Sequence, residues 1–104
     1  MEELLEEITR ATGFDWDAGN VQKNWERHAV RFSECEEVYF RAPLLALNDG
    51  KHSRREERFI ALGRTALGRL LSIVFTFREE RIRVISAREM SRKERQEYLR
   101  HEEA

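Results

Sequence analysis

The chain has 104 residues, 40% hydrophobic and 38% charged, with a formal net charge of −1 and a mean hydropathy of −0.72. That length suits one domain with one modest core, no apolar run approaches the ~20 residues that span a bilayer, and a single cysteine excludes an internal disulfide. The near-zero net charge hides a division, since residues 1–50 hold 5 basic and 11 acidic residues whereas residues 51–104 hold 14 and 9.

Residues 1–12 pattern as a helix with Leu4, Leu5, Ile8 and Ala11 on one face and Gly13 as its stop. Glu2, Glu3, Glu6 and Glu7 suit its N-terminal half and make it acidic where an export signal would be basic, so a cytoplasmic location is expected. Phe14-Asp15-Trp16-Asp17 alternates apolar and acidic residues, which predicts a short half-buried strand. Asp17 then caps a helix to about His28, with Val21, Trp25 and His28 on its inner stripe. Ser33 and Glu36 form a capping-box pattern for the next helix, which turns Cys35, Val38, Tyr39 and Ala42 inward and ends at Pro43. Leu44–Leu47 reads as a short strand before the Asn48-Asp49-Gly50 turn, and Lys51–Arg55 as a polar loop.

The second half is rich in residues that suit a pleated surface: Phe59–Ile60, Ile73–Val74–Phe75–Thr76 and Ile82–Val84–Ile85. Ala66-Leu67-Gly68-Arg69 and Glu79-Glu80 between them have hairpin lengths, so a three-stranded antiparallel meander is predicted. Ser91 and Glu94 give a second capping box and open a last helix to about His101, with only Met90, Tyr98 and Leu99 to bury. The fold class is α+β: an antiparallel sheet with helices packed on one face and a C-terminal helix.

His28, His52, His101 and Cys35 lack the spacing of a zinc site, and Gly63 and Gly68 are isolated rather than part of a phosphate-binding loop. Cys35 on an inner stripe reads as a structural thiol, and Trp16 and Trp25 read as core. Of the 19 basic residues, 16 are arginine, whose planar fork matches phosphate and carboxylate oxygens in pairs. Arginines on a rigid sheet suit metal-free RNA cleavage, in which the 2′-hydroxyl attacks the adjacent phosphate and the protein supplies a base, an acid and cations. Arginine does not titrate near neutrality, so the base comes from Glu56, Glu57, His28 or His52. Strand alternation puts Glu57 and Arg64 on one face only if a bulge intervenes, with Gly63 as one place for it. Each residue also has a plainer reading: His28 complements a helix dipole, and Arg81 and Arg83 pair with glutamates across a hairpin.

Read together, FDWD (Phe14–Asp17), KNWERH (Lys23–His28), HSRREER (His52–Arg58), IALGR (Ile60–Arg64) and GR (Gly68–Arg69) occur in a telling order. With VFTFR (Val74–Arg78), IRVISAR (Ile82–Arg88), SRKER (Ser91–Arg95) and Tyr98, the sequence resembles the BrnT family of toxins. The resemblance implies a RelE-like curved sheet and a metal-independent endoribonuclease that blocks translation, with no cofactor. It also implies a BrnA-like antitoxin with a ribbon–helix–helix DNA-binding domain, two toxins assembling with two antitoxins, and operator DNA contacted only through the antitoxin. By position it puts weight on Glu57, Arg64, Arg88 and His28 as catalytic residues, with Lys23, Arg58, Arg83 and Arg95 as RNA or phosphate ligands. Arg64 and Arg88 become phosphate clamps, and Glu57 or His28 the proton acceptor. Residues 1–13 become a helical extension in front of a single toxin domain at 14–104. Ala29 stands where the family commonly has glycine, which would change how the preceding helix ends, and Phe77 stands where a polar residue is more usual. The reading from another class is a non-catalytic module that binds nucleic acid or protein through its arginines. A small DNA-binding regulator ranks below both, because no basic recognition helix is present.

Overall fold

β-branched and aromatic residues build the sheet where their pattern places it. The computed structural model describes residues 2–50 and 56–103. In it, β1 (Leu45–Asn48), β2 (Phe59–Arg64), β3 (Leu70–Arg78) and β4 (Arg81–Glu89) form one antiparallel sheet in that order. The helices are α1 (Glu2–Arg10), α2 (Ala18–His28), α3 (Phe32–Val38) and α4 (Arg92–Glu103). The predicted meander is therefore present, extended by β1. Glu79 and Glu80 make the two-residue β3–β4 turn with φ of 51° and 65°, the left-handed backbone of a type I′ hairpin.

Strand alternation divides the sheet into two faces. On the first, Phe59, Ala61, Leu71, Ile73, Phe75, Ile82, Val84 and Ala87 form the main core with Ile8, Val30, Cys35, Val38 and Tyr39. Phe75 sits among Tyr39, Phe59 and Phe77 at ring separations of 5.4, 5.6 and 5.7 Å. Phe77 thus joins an aromatic cluster on which α1 also packs through Leu4, Leu5 and Ile8. On the second face, Leu45, Leu62, Met90 and Tyr98 form a smaller core. There α4 docks, with Tyr98 fully buried and its hydroxyl donating to the Pro43 carbonyl at 2.7 Å.

Several local expectations shift. Phe14–Asp17 is not a strand: Gly13 turns at φ 147° and only an isolated parallel bridge, Phe14 to Ile82, follows before Asp17 caps α2. Asp17 Oδ1 accepts the Asn20 N–H at 2.7 Å, as its position predicts. The N-cap of α3 is Arg31, two residues before the predicted cap Ser33, and its N–H donates to Glu34 Oε1 at 3.0 Å. It stops at Val38, well before Pro43, and Ala42 is exposed. Ala29 itself adopts the left-handed conformation (φ 53°, ψ 40°), so α2 ends as it would with glycine. Gly63 lies in a regular strand, and the only register irregularity in a described strand pair is between β3 and β4. Its role is close approach, since a Cβ there would lie 2.5 Å from Val38 Cγ1.

α2 does not lie over the sheet as its apolar stripe suggests. Asn20 Nδ2 donates to the Val84 carbonyl at 2.9 Å, and Asn24 Oδ1 accepts the Ala87 N–H at 3.2 Å. The helix therefore runs along the outer edge of β4 and covers backbone groups that would otherwise be open for pairing. Asn24 is buried, whereas Trp25 is 50% exposed and is not core.

Candidate functional site: the arginine face beneath the last helix

The cross-strand register gathers arginines on the second face. Ser72 pairs with Leu62 on one side and Arg88 on the other, so Ser72 and Arg88 stand side by side. Further along, Thr76 pairs with Arg83 and Arg78 with Arg81. α4 crosses this face and places a carboxylate on the first pair. Glu94 Oε1 accepts from Arg88 Nη1 at 2.7 Å, and Oε2 accepts from Arg88 Nη2 at 3.2 Å and from Ser72 Oγ at 3.1 Å. The same carboxylate accepts the Ser91 N–H at 2.8 Å, while the Glu94 N–H donates to Ser91 Oγ at 3.2 Å. The capping box that starts α4 thus also builds a carboxylate–guanidinium pair over the sheet. Burial is the largest influence on Glu94 and raises its pKa, but bonds from Arg88, Ser91 and Ser72 outweigh it and hold the group below its ordinary value.

Arg64 lies toward the other end of α4. Its guanidinium contacts Glu102 at 3.4 Å and donates to the Ala42 carbonyl at 3.3 Å, while its buried Nε has no partner. Glu94 and Glu102 are two turns apart, about 12 Å of helix rise. Both arginines singled out from the sequence therefore stand on one face, each held by an acidic residue of α4.

The other candidates lie elsewhere. Glu57 precedes β2 at the far end of the face, about 23 Å along the chain from Arg64 at strand spacing. Its carboxylate accepts from Asn48 Nδ2 at 3.2 Å and its carbonyl from Thr76 Oγ1 at 2.6 Å. With β2 regular, no bulge brings Glu57 round to Arg64. Arg58 is half-buried at that same end, and its carbonyl accepts the Asp49 N–H at 2.8 Å. Arg83 is taken up by Asp17 at 2.6 Å and Asp15 at 3.5 Å, aspartates of the α2 entry rather than glutamates across a hairpin. Asp17 is held below its usual pKa by the Asn20 N–H and then by Arg83, which makes this an anchor between α2 and β4. His28 is exposed at the end of α2 and Arg95 is exposed on α4. Lys23 is half-buried on α2, and helical phase puts it and Arg27 on the flank opposite Trp25. Trp25 contacts Arg31 at the start of α3, on the first-face side, so Lys23 and Arg27 turn toward the face that carries Arg88. Glu56 is exposed, and His52 lies outside the described residues. Cys35 is buried and its thiol is pushed up to about 12 by burial first and then by Glu34 and Glu36, which makes it inert as a nucleophile near neutrality.

Sequence reasoning missed Ser72 and Glu94 as parts of a site. The capping-box pattern accounted for Glu94 completely, so its second role left no separate signal. Arg69 was also passed over; it donates to the carbonyls of Ala29 at 2.8 Å and His28 at 3.2 Å and pairs with Glu34 at 3.1 Å, tying the end of α2 to α3.

Comparison with known families decides the class. The family model described as the ribonuclease toxin BrnT of type II toxin–antitoxin systems matches residues 16–94. The chain belongs to the BrnT family. It is accordingly a ribonuclease toxin of the type II class, whose partner is an antitoxin. The BrnT match takes in α2, α3, the whole sheet and the first turn of α4 including Glu94, and α1 precedes it. A comparison with curated proteins gives no match. Among the described residues, no helix is long and apolar enough to cross a membrane.

Proposed function

We propose that this BrnT-family chain is a metal-independent endoribonuclease whose reaction centre is the Arg88–Glu94–Ser72 cluster. The observation that carries the reading is a partly buried carboxylate bonded directly to a guanidinium on the arginine-bearing face. Arg88 binds the scissile phosphate through its fork and stabilises the charge gathering on the phosphate oxygens. When Arg88 turns to the phosphate, Glu94 loses the guanidinium's bond and charge, the largest of the influences that lower its pKa, while the bonds from Ser91 and Ser72 and the burial that raises it remain. Its basicity therefore climbs as substrate arrives, and Glu94 accepts the 2′-hydroxyl proton as that oxygen attacks phosphorus. As the P–O2′ bond forms the P–O5′ bond breaks, the departing 5′-oxygen takes a proton from water, and a 2′,3′-cyclic phosphate remains. Arg64 clamps a second phosphate toward the other end of α4, and Lys23, Arg27 and Arg95 draw the backbone across the face. Glu57 and His28, favoured from the sequence, take no part in proton transfer under this arrangement.

The fold is read as RelE-like, with a sheet across which α4 lies, and the activity as one that halts translation in the cytoplasm. The antitoxin is read as a BrnA-like ribbon–helix–helix protein that binds two toxins in a two-plus-two assembly and carries the contacts to operator DNA. The test is chelator-treated protein incubated with a defined RNA, with product ends analysed for 2′,3′-cyclic phosphate. Cyclic ends from the wild type and none from Arg88→Ala are expected. Equal cleavage by Arg88→Ala would remove the cluster from the reaction.

A further inference from the structure

A second feature lies around the sheet end from Arg88, at the junction of α2, α3 and the β2–β3 turn. There a cavity of about 400 Å³ is lined by Trp25, Arg31, Glu34, Glu37, Leu67 and Arg69, among others. Three large apolar side chains at this corner face solvent: Trp25 at 50%, Phe32 at 46% and Leu67 at 99% exposure. The Arg31 guanidinium stands 5.5 Å from the centroid of the Trp25 ring. From these features we infer that the cavity is a nucleobase subsite, which takes a guanine of single-stranded RNA next to the phosphate held by Arg88.

The inference rests on the ribonuclease reading above and adds to it how the substrate is chosen. The Arg31 guanidinium lies over the exposed Trp25 ring, and a base stacks on an outer plane of that pair. The walls are held in place before any ligand arrives. Glu37 Oε1 accepts the Ala66 N–H at 2.8 Å, Thr65 Oγ1 accepts the Arg69 N–H at 3.0 Å, and Arg69 Nη1 bridges both oxygens of Glu34 at 3.1 and 3.2 Å. The lining carries two carboxylates and two guanidiniums, so it has no formal excess of positive charge to draw a phosphate, and its carboxylates suit a group rich in N–H donors. Arg69 largely answers the charge of Glu34, which leaves Glu37 as the acceptor with lone pairs to spare. Guanine presents two adjacent N–H donors on its pairing edge, which a carboxylate accepts together, whereas uracil presents one donor between two carbonyls. Position fits as well. Arg69 Nε lies 3.5 Å from Glu89 Oε1, and Glu89 follows Arg88 on β4 with its side chain on the opposite face, so an RNA strand reaches the cavity from the proposed phosphate clamp by passing round the sheet edge.

The test is fluorescence anisotropy with short single-stranded RNAs made uncleavable by 2′-O-methylation, one containing guanines and one of uridines alone. Wild type, Trp25→Ala, Glu37→Gln and Arg88→Ala are compared, and circular dichroism melts confirm that each is folded. Wild type is expected to prefer the guanine RNA. Trp25→Ala should lose about 5- to 100-fold in affinity for it, the range for removing one stacked base. Glu37→Gln should erase the preference while keeping the affinity for oligouridine, and Arg88→Ala should weaken both RNAs alike. Undiminished binding by Trp25→Ala, with Arg88→Ala still impaired, would overturn the subsite and leave the ribonuclease reading standing. Loss of antitoxin binding rather than RNA binding in Trp25→Ala would overturn it in favour of a protein contact. A wild type that binds neither RNA would defeat both readings together.

Discussion

Replacing Glu94 with glutamine separates the structural part of the Arg88–Glu94 pair from its proposed chemical part. The carboxylate accepts four hydrogen bonds: two from Arg88, one from Ser72 and one from the Ser91 backbone. Glutamine keeps one acceptor oxygen and loses the charge: at the Oε1 position that oxygen still accepts from the Ser91 N–H and Arg88 Nη1, while the bond from Arg88 Nη2 to Oε2 is lost and the N-terminal charge of α4 is gone. The Arg88 side chain is 46% exposed and that of Glu94 21%, which places the ion pair near the surface value of about 0.5–1 kcal/mol. A weakened helix N-terminus adds about 0.5–1 kcal/mol. The expected loss is about 1–2 kcal/mol, a fall in Tm of roughly 5–9 °C for a domain of this size. The pH dependence has a definite sign. Glu94 is held below its ordinary value of 4.5 in the folded state, so its contribution is fully present above that value and is lost as pH falls through the lower, folded pKa. Thermal melts followed by circular dichroism at pH 7 and at successively lower pH check this. The gap between wild type and Glu94→Gln should be widest at pH 7 and should close on the acid side. A gap that is absent at pH 7, or that persists unchanged in acid, would refute the argument.

Three further outcomes follow from the backbone and the core. Ala29→Gly should stabilise the protein by about 0.5–1 kcal/mol, because glycine removes the left-handed penalty of about 1–2 kcal/mol and gives part of it back in unfolded-chain entropy; a urea titration reads the shift in midpoint. Replacing Glu79-Glu80 with Asn-Gly should also raise the urea midpoint and leave RNA cleavage unchanged, since both glutamates carry positive φ in the β3–β4 turn. Gly63→Ala should cost about 1–3 kcal/mol by thermal melt, because the new methyl group meets Val38 and forces α3 away from β2.

Much of the sheet was legible because its residues alternate between two cores. Phe59, Ile73, Phe75 and Val84 announce the first face, and the Glu79-Glu80 connector announces the hairpin. α2 was harder, because hydrophobic periodicity assumes that a helix buries an apolar stripe. This helix instead buries Asn24 against the backbone of β4, where polar side chains are what an open strand edge requires. Trp25 is consequently left near the surface, opposite to its sequence expectation. At the candidate site, alternation along β2 gives the side on which Arg64 lies, and the cross-strand register shows that Arg88 shares it. The link to Glu94 comes from a helix crossing that face, and no spacing along the chain encodes such a contact. Strand alternation joins Glu57 to the face of Arg64 only through a bulge, and the irregularity lies between Val74 and Phe75 of β3 and their partners on β4 rather than at Gly63.

The most direct test of the central claim compares RNA binding with single-turnover cleavage in Glu94→Gln at pH 7, under conditions where the variant is folded. The account predicts binding at least as tight as wild type, because Arg88 is released and a negative charge is removed from the phosphate site, together with cleavage about 100-fold slower or worse for want of the proton acceptor. Cleavage at the wild-type rate would contradict it and return the search for the base to Glu57 and His28.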